Sequence, residues 1–417
     1  MQIAVAQRGA RKNYVAPAAF AQRRMLARLY TDFYAKPGWL SVCLQHLARL
    51  SGSGLLKAIA GRQAEGIPVG AVAHYPLQAL YGRYLKRRGL RRNDLLTGYL
   101  LGGKAFCERI LRDGFGKADG VYAFSSAALE LFEHARKNEL ICVLDHETPP
   151  VEQEHRLVRE QWERYPQWSV ARTATESMKA YAERQRKESE LAQLIVCPSS
   201  FARDLVVSAG AVPEKTVTIP FAVDSRFFLE GPRASECAGD RKLRVLFVGN
   251  DPVRKGMGDL IMAFRELHTE QIEARGIGAW QLTDEGLAAA RSVMQVLGAV
   301  PRTDIASHYE WADVFVFPTV SDALGIVILE AMAAGLPVIT TTNSGGPDIL
   351  RDGKDGFVVP VHQPDMIAEK LDLLASDRER CTAMGQSARV RAREFSLESY
   401  ACRLCRVVQA ADERTSA

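Results

Sequence analysis

Pro318-Thr319-Val320-Ser321-Asp322-Ala323-Leu324-Gly325-Ile326-Val327-Ile328-Leu329-Glu330-Ala331-Met332-Ala333-Ala334-Gly335-Leu336-Pro337 decides the fold. The apolar run 314–317 before it has the length of a buried strand and stops at Pro318. A polar loop follows and closes on Gly325. A helix is predicted from about residue 325, ended by Gly335 with Pro337 just beyond. Strand, loop and helix in this order place unpaired N–H groups and a partial positive charge at the helix start, a cradle for phosphate. Glu330 stands just over one turn into the helix, where it can accept hydrogen bonds from vicinal hydroxyls such as those of a ribose. Asp322, eight residues earlier on the loop, can take hydroxyls of a second sugar.

The same rhythm extends both ways. The chain opens with a strand at 3–6, a basic loop at Arg8-Gly9-Ala10-Arg11-Lys12, and a helix expected from about Pro17. Residues 40–115 read mainly as arginine-rich helices. Strands are predicted at 120–124, 141–144, 194–197 and 217–220, with helices at 127–137 and 201–209 and a long polar region at 151–190. Residues 225–242 read as a linker, being polar and aperiodic with Gly and Pro. Strands follow at 244–249, 293–297, 314–317, 337–341 and 357–359, with helices between them and a last amphipathic helix from Ser396. The fold class is therefore α/β, with two doubly wound Rossmann-like halves facing a cleft. Residues 1–225 make the first domain and 226–395 the second, and helix 396–417 is expected to pack back on the first.

Composition narrows the function classes. The 417 residues are 47% hydrophobic and 25% charged, which excludes a disordered or fibrous chain. No apolar stretch reaches the roughly 20 residues of a membrane span, and the start is too short for a signal-peptide core. A cytoplasmic protein is expected. The eight cysteines are scattered through apolar runs, and the pair Cys402 and Cys405 lies in a helical pattern with no second metal half-site. The net charge of +5 hides an asymmetry: residues 1–120 hold 20 Lys+Arg against 6 Asp+Glu, a net of +14, so the rest carries −9. A basic front half calls for an anionic partner. The run Tyr84 to Arg92 is its most basic stretch, and it fits either a solvated helix or contact with an anionic membrane face. Nucleic acid is not expected, since no zinc spacing, RNA-binding aromatic signature or basic zipper occurs.

Several segments in order resemble one known family. Asp322-x7-Glu330 followed by AMAAGLPVI resembles the E-x7-E signature of GT-B glycosyltransferases of the large retaining group called family 4. Leu246-Phe247-Val248-Gly249 with Arg254-Lys255-Gly256 resembles that family's strand and diphosphate-clamping loop. Gly345-Gly346-Pro347-Asp348 and Asp352-Gly353 through Val359 resemble its GG-x-E and D-G-x-x-G segments, and Pro198-Ser199, Pro220 and Val223-Asp224 its P-S and P-x-G-V-D passage. The likeness is strong over about 190–410. Three departures stand out: Asp322 for Glu, Asn250 where many members have arginine, and Trp280-Gln281-Leu282-Thr283 where members have a strand ending in V-G-x-G. A smaller one is Ala222 for Gly.

The resemblance implies a retaining, metal-independent transferase with no cofactor, its nucleotide-sugar donor (UDP- or GDP-linked) being a substrate. It implies a saccharide or lipid-linked acceptor and a place in polysaccharide or envelope-glycan synthesis. Donor binding falls to Asn250, Arg254, Lys255, Leu324, Gly325, Ile326 and Glu330, with Asp322 at the sugar. His146 takes the position of the histidine near the donor sugar ring, and a loop histidine capping local backbone is the competing reading. Gly9 and Arg11 are expected at the donor–acceptor junction, with a basic surface loop as the competing reading. No metal site is expected. Two other functions are carried as alternatives: a GT-B nucleotide-sugar epimerase, with Glu147 as the ready acid/base, and a catalytically weak nucleotide-binding scaffold, which the departures motivate.

Overall fold

The structure is a computed structural model that describes residues 1–9, 14–35, 62–64, 66–91, 94–169, 175–229 and 241–416. Short apolar runs become buried parallel strands, and polar amphipathic runs become the helices that cover them. The first sheet has seven strands: β1 (Ile3–Gln7), β2 (Leu26–Thr31), β3 (Val72–His74), β4 (Gly120–Phe124), β5 (Ile141–Asp145), β6 (Leu194–Cys197) and β7 (Thr216–Thr218). Its order is β3-β2-β1-β4-β5-β6-β7, all parallel. The second sheet has six: β8 (Leu243–Val248), β9 (Ile272–Ile277), β10 (Gln295–Gly298), β11 (Val314–Phe317), β12 (Val338–Thr341) and β13 (Gly356–Val359). Its order is β10-β9-β8-β11-β12-β13, also parallel.

Each sheet winds outward from its first strand, then starts again on that strand's other side. The reversal lies between β1 and β4 in one sheet and between β8 and β11 in the other. Such a switch point leaves a crevice beyond the carboxyl ends of the strands. The loops at Arg8–Gly9, at 249–256 and at 318–325 leave the ends of β1, β8 and β11.

Three strands differ from the sequence reading. β2 (LARLYT) carries an arginine and leaves its first three residues partly exposed, and β3 is only three residues, so neither shows a strand's alternation. β9 (IEARGI) mixes Glu273 and Arg275 into its run because it lies towards the sheet edge, where Arg244 Nε pairs with Glu273 Oε1 at 2.9 Å. The polar region 151–190 holds two helices, Val151–Arg164 and Glu176–Leu191. The first helix starts at Val15 rather than Pro17. The helices expected over 40–61 lie outside the described residues, as do Arg11, Cys43, Cys237 and residues 230–240 of the linker.

The chain crosses between the two sheets twice, at neighbouring places. Val223 N–H donates to the Phe395 carbonyl at 2.8 Å, tying the outgoing crossing to the returning one. Helix Leu397–Ser416 then buries Tyr400, Ala401, Leu404, Cys405 and Val408 against Ile3, Val5, Phe20 and Tyr122 of the first sheet's core. No described helix is long and apolar enough to cross a membrane.

Candidate functional site

The loop after β8 is built around Gly256. Its φ of +72° is a left-handed conformation that glycine adopts without strain. A Cβ there would stand 1.8 Å from the Pro318 carbonyl oxygen, so the loop lies directly on the loop after β11. The Arg254 carbonyl accepts from Val320 N–H at 2.9 Å and from Thr319 Oγ1 at 3.0 Å. Two loops far apart in sequence thus form one rigid platform, which presents Arg254 and Lys255.

Lys255 is buried, with Nζ paired to Asp322 Oδ2 and 5.1 Å from the centre of the Phe317 ring. Burial and the adjacent Arg254 guanidinium pull its ammonium from the usual lysine range down to about 8, against the opposing effect of Asp322. Burial works to raise Asp322, but Lys255 and Arg254 outweigh it and hold its carboxyl below the usual range. The other Asp322 oxygen, Oδ1, accepts from Leu324 N–H at 3.2 Å and Gly325 N–H at 2.8 Å. Asp322 therefore fastens the cationic loop to the start of helix Ile326–Ala333, whose N-cap Gly325 has a φ of 76°. Its reach is already used at this joint.

One turn into that helix, Glu330 accepts from Tyr309 OH at 3.0 Å and has Arg302 Nη2 at 3.7 Å. Burial raises its carboxyl pKa, with Arg302 and Tyr309 opposing. Leu324 is buried, and its carbonyl accepts from Gly345 N–H at 3.0 Å. Asn250, Arg254, Lys255, Asp322, Leu324, Gly325, Ile326 and Glu330 are thus placed on one side of the cleft, on loops and a helix leaving β8 and β11.

The strand β9 ends at Ile277, and 280–283 lies in the loop after it. Trp280 folds back, donating from Nε1 to the Gly249 carbonyl at 2.8 Å, with its ring centre 5.9 Å from that of Phe247. Asn250 Oδ1 accepts from Ala279 N–H at 2.9 Å and joins the same two loops. Both departures thus make hydrogen bonds that join the loops after β8 and β9.

His146 follows β5 and is buried. Its Nδ1 lies 2.7 Å from the Thr148 carbonyl oxygen, which can only accept, so Nδ1 carries the proton and Nε2 is the bare nitrogen. Burial drives its pKa down to about 4, so the ring is neutral at physiological pH. It lines a cavity of about 170 Å³ bounded by helices Val151–Arg164 and Glu176–Leu191. A larger cavity, about 650 Å³, opens elsewhere between the units, lined by Val15, Ala18, Asp224, Ile326 and Arg393. Gly9, with φ +81°, donates its N–H to Asp32 Oδ1 at 2.9 Å. Arg8 runs between two helices, its guanidinium against Gly82 and Gly102 and Nη1 3.3 Å from the Tyr99 carbonyl oxygen.

Two participants were not legible in sequence. Tyr309 meets Glu330 only through the fold, and Glu154 reaches Arg254 from the first sheet's side, Oε1 to Nη1 3.5 Å. Other contacts close the cleft. Tyr165 OH donates to Asp259 Oδ1 at 2.8 Å, Ser200 N–H and Oγ both donate to Asp348 Oδ2 at 2.9 Å, and Ser199 Oγ donates to the Ala323 carbonyl. His362 Nδ1 lies 3.2 Å from Asp259 Oδ2.

Residues 233–391 match the family model described as glycosyl transferases group 1. A D-inositol 3-phosphate glycosyltransferase of Geodermatophilus obscurus is 30% identical over 252 residues, 55% of this chain and 55% of that protein. A GDP-mannose-dependent phosphatidylinositol monomannoside mannosyltransferase of Mycobacterium tuberculosis is 29% identical over 224 residues, 49% of this chain and 58% of that one. The chain spans about half the length of the curated relatives it matches. Among solved structures, Anabaena HepE in complex with UDP superposes with a TM-score of 0.63 at 14% identity, covering 98% of this chain and 100% of that one. The fold is GT-B.

Proposed function

We propose, from the premise that residues 233–391 are a glycosyl transferases group 1 domain in a GT-B fold, that the protein moves a sugar from a nucleotide-sugar donor to a saccharide or lipid-linked acceptor with retention of configuration. The observation that carries this reading is the joint between Lys255, Asp322 and the start of helix Ile326–Ala333, with Glu330 one turn further in. Negative charge grows on the leaving diphosphate as the glycosidic bond breaks. Arg254, Lys255 and the N–H groups of Ile326 and Val327 are given the task of meeting it, rather than a metal ion. Glu330 takes the ribose hydroxyls. The second sheet thus holds the donor, and the first sheet, with helix Leu397–Ser416, holds the acceptor. Front-face attack, with the leaving phosphate accepting the acceptor's proton, needs no protein nucleophile. His146 offers Nε2 as a hydrogen-bond acceptor and no acid at neutral pH.

A UDP- or GDP-sugar is the donor class, a choice supported by what the HepE complex and the mannosyltransferase are named for. The test incubates the protein with a panel of nucleotide sugars and saccharide acceptors, with magnesium or with EDTA. The expected result is release of one nucleoside diphosphate and a new glycosidic product in both conditions. Glu330→Ala should raise the donor KM roughly tenfold or more, the cost of a hydrogen bond to a charged group. Sugar inversion at a ring carbon without a new bond would indicate the epimerase. No turnover and no nucleotide binding would indicate the scaffold.

We further propose that the protein works at the cytoplasmic face of an anionic membrane, where polysaccharide or envelope-glycan acceptors are assembled. Helix Pro76–Arg91 exposes Leu77, Leu80, Tyr81 and Tyr84, spaced i, i+3, i+4 and i+7 on one face. Arg83, Lys86, Arg87, Arg88 and Arg91 are exposed on the same helix, which has no carboxylate. Each such cation contributes about 1 kcal/mol near an anionic surface. Cosedimentation should show binding to phosphatidylglycerol-containing vesicles but not to phosphatidylcholine vesicles, weakened by salt and by Arg87→Glu with Arg88→Glu. Failure to bind either vesicle overturns this part.

A further inference from the structure

Glu154 stands on helix Val151–Arg164, which belongs to the first sheet, and its carboxylate faces a cationic loop of the second. Arg254 and Lys255 carry two positive charges. Asp251, Asp322 and Glu154 oppose them with three negative ones. A nucleoside diphosphate brings at least two more, so at least one carboxylate must give way before the phosphates can use both cations.

The three carboxylates are held differently. Asp322 is fastened by two backbone N–H groups and by Lys255. Asp251 is part of the cationic loop itself, with its Oδ1 3.4 Å from Arg254 N. Glu154 comes from across the cleft, and among the described residues its carboxylate has one ion pair, to Arg254. Its side chain keeps 30% of its surface exposed, so it can swing into water without leaving a buried charge unpaired. Burial of the carboxyl works against its charge, and Arg254 and Lys255 are what hold it in place.

We infer that Glu154 is a displaceable counter-ion for Arg254: it occupies the guanidinium between turnovers, gives way to the donor's diphosphate, and returns to help expel the nucleoside diphosphate product. The inference rests on the reading of Arg254 and Lys255 as the diphosphate site and adds a residue that acts through Arg254. Glu154 is thus a positioning residue that sets nucleotide affinity and product release.

The experiment measures dissociation constants of UDP, GDP and ADP, and of the matching nucleosides, for the full chain and for Glu154→Gln and Glu154→Asp. Melting temperatures of all three proteins are taken alongside to establish folding. For the diphosphate that binds, Glu154→Gln should tighten binding about tenfold, equivalent to roughly 1.4 kcal/mol, and slow its dissociation. Glu154→Asp, with a shorter reach, should fall between. Affinity for the nucleoside should not change, since it has no phosphate to compete with Glu154. Unchanged or weaker diphosphate binding in folded Glu154→Gln overturns the inference. So does tightening that the nucleoside shares. If no nucleoside diphosphate binds the unsubstituted protein, the diphosphate-site reading fails and takes the inference with it. Binding that is tight but indifferent to Glu154 fails the inference alone.

Discussion

Replacing Lys255 by alanine is expected to lower kcat/KM for donor turnover by roughly 10²–10³-fold, the scale seen when one preorganised group facing developing charge is removed. Two effects add. The ammonium that meets the leaving diphosphate is lost, and Asp322 loses the partner that offsets its burial. The remaining carboxylate then repels the diphosphate it helped to position. Lys255→Arg keeps the charge but cannot reproduce the compact pairing beside Phe317, so intermediate activity is expected. The depressed Lys255 pKa gives a pH test. With an unliganded value of about 8, the ammonium loses its proton as pH rises through that point. Nucleoside diphosphate binding should therefore weaken above pH 8 in the unsubstituted protein. Lys255→Arg should remain flat there, because guanidinium keeps its charge. Isothermal titration between pH 6.5 and 9.5 measures both. A parallel decline in the two proteins would remove Lys255 from the diphosphate site.

The largest stability loss is expected at Gly256. Alanine would need a left-handed φ of +72° and would drive its Cβ to within 1.8 Å of the Pro318 carbonyl oxygen. Backbone cannot yield as a flexible side chain can, so the loop after β8 must lift from the loop after β11. A cost of about 3–4 kcal/mol is expected, at the upper end for single substitutions. It should appear as a drop of roughly 10 °C in the transition of the second sheet. The hydrogen bonds from Val320 and Thr319 to the Arg254 carbonyl would part, displacing both cations. Diphosphate binding should fall even in protein that remains folded. Gly353→Ala is the control, because φ is +73° there but no atom lies within 4 Å of the added Cβ. It should cost only about 1 kcal/mol. Equal losses at the two positions would show that φ alone, and not the Pro318 contact, governs Gly256.

What was legible in the sequence was local. The loop and helix over 318–335 announce themselves through Pro318, Gly325, Gly335 and Pro337, each acting on its own backbone. The same holds for the strands at 120–124, 141–145, 194–197 and 314–317, whose burial on both faces leaves continuous apolar runs. β2 and β9 were illegible because they carry charges that only their places in the sheet accommodate. The role of the 280–283 segment was illegible because Trp280 meets its partner, the Gly249 carbonyl, only through the fold. In the site, Arg254, Lys255, Asp322 and Glu330 were found because motif spacing preserves them. Tyr309 and Glu154 were not, because each meets its partner through folding across 21 and 100 residues of chain. His146 shows the opposite limit. Its place at a strand end was legible, but the cavity it lines depends on how the helices at 151–164 and 176–191 close around it.

Helix Leu397–Ser416 follows the entire second sheet in the chain, yet its Tyr400, Leu404 and Val408 fill the core of the first. On a translating ribosome, the amino-terminal half therefore emerges with Phe20 and Ala19 still lacking their covering helix. That half cannot complete its interior until nearly 200 further residues have been synthesised. The half that is made first thus receives its last layer only after the whole second sheet has been made.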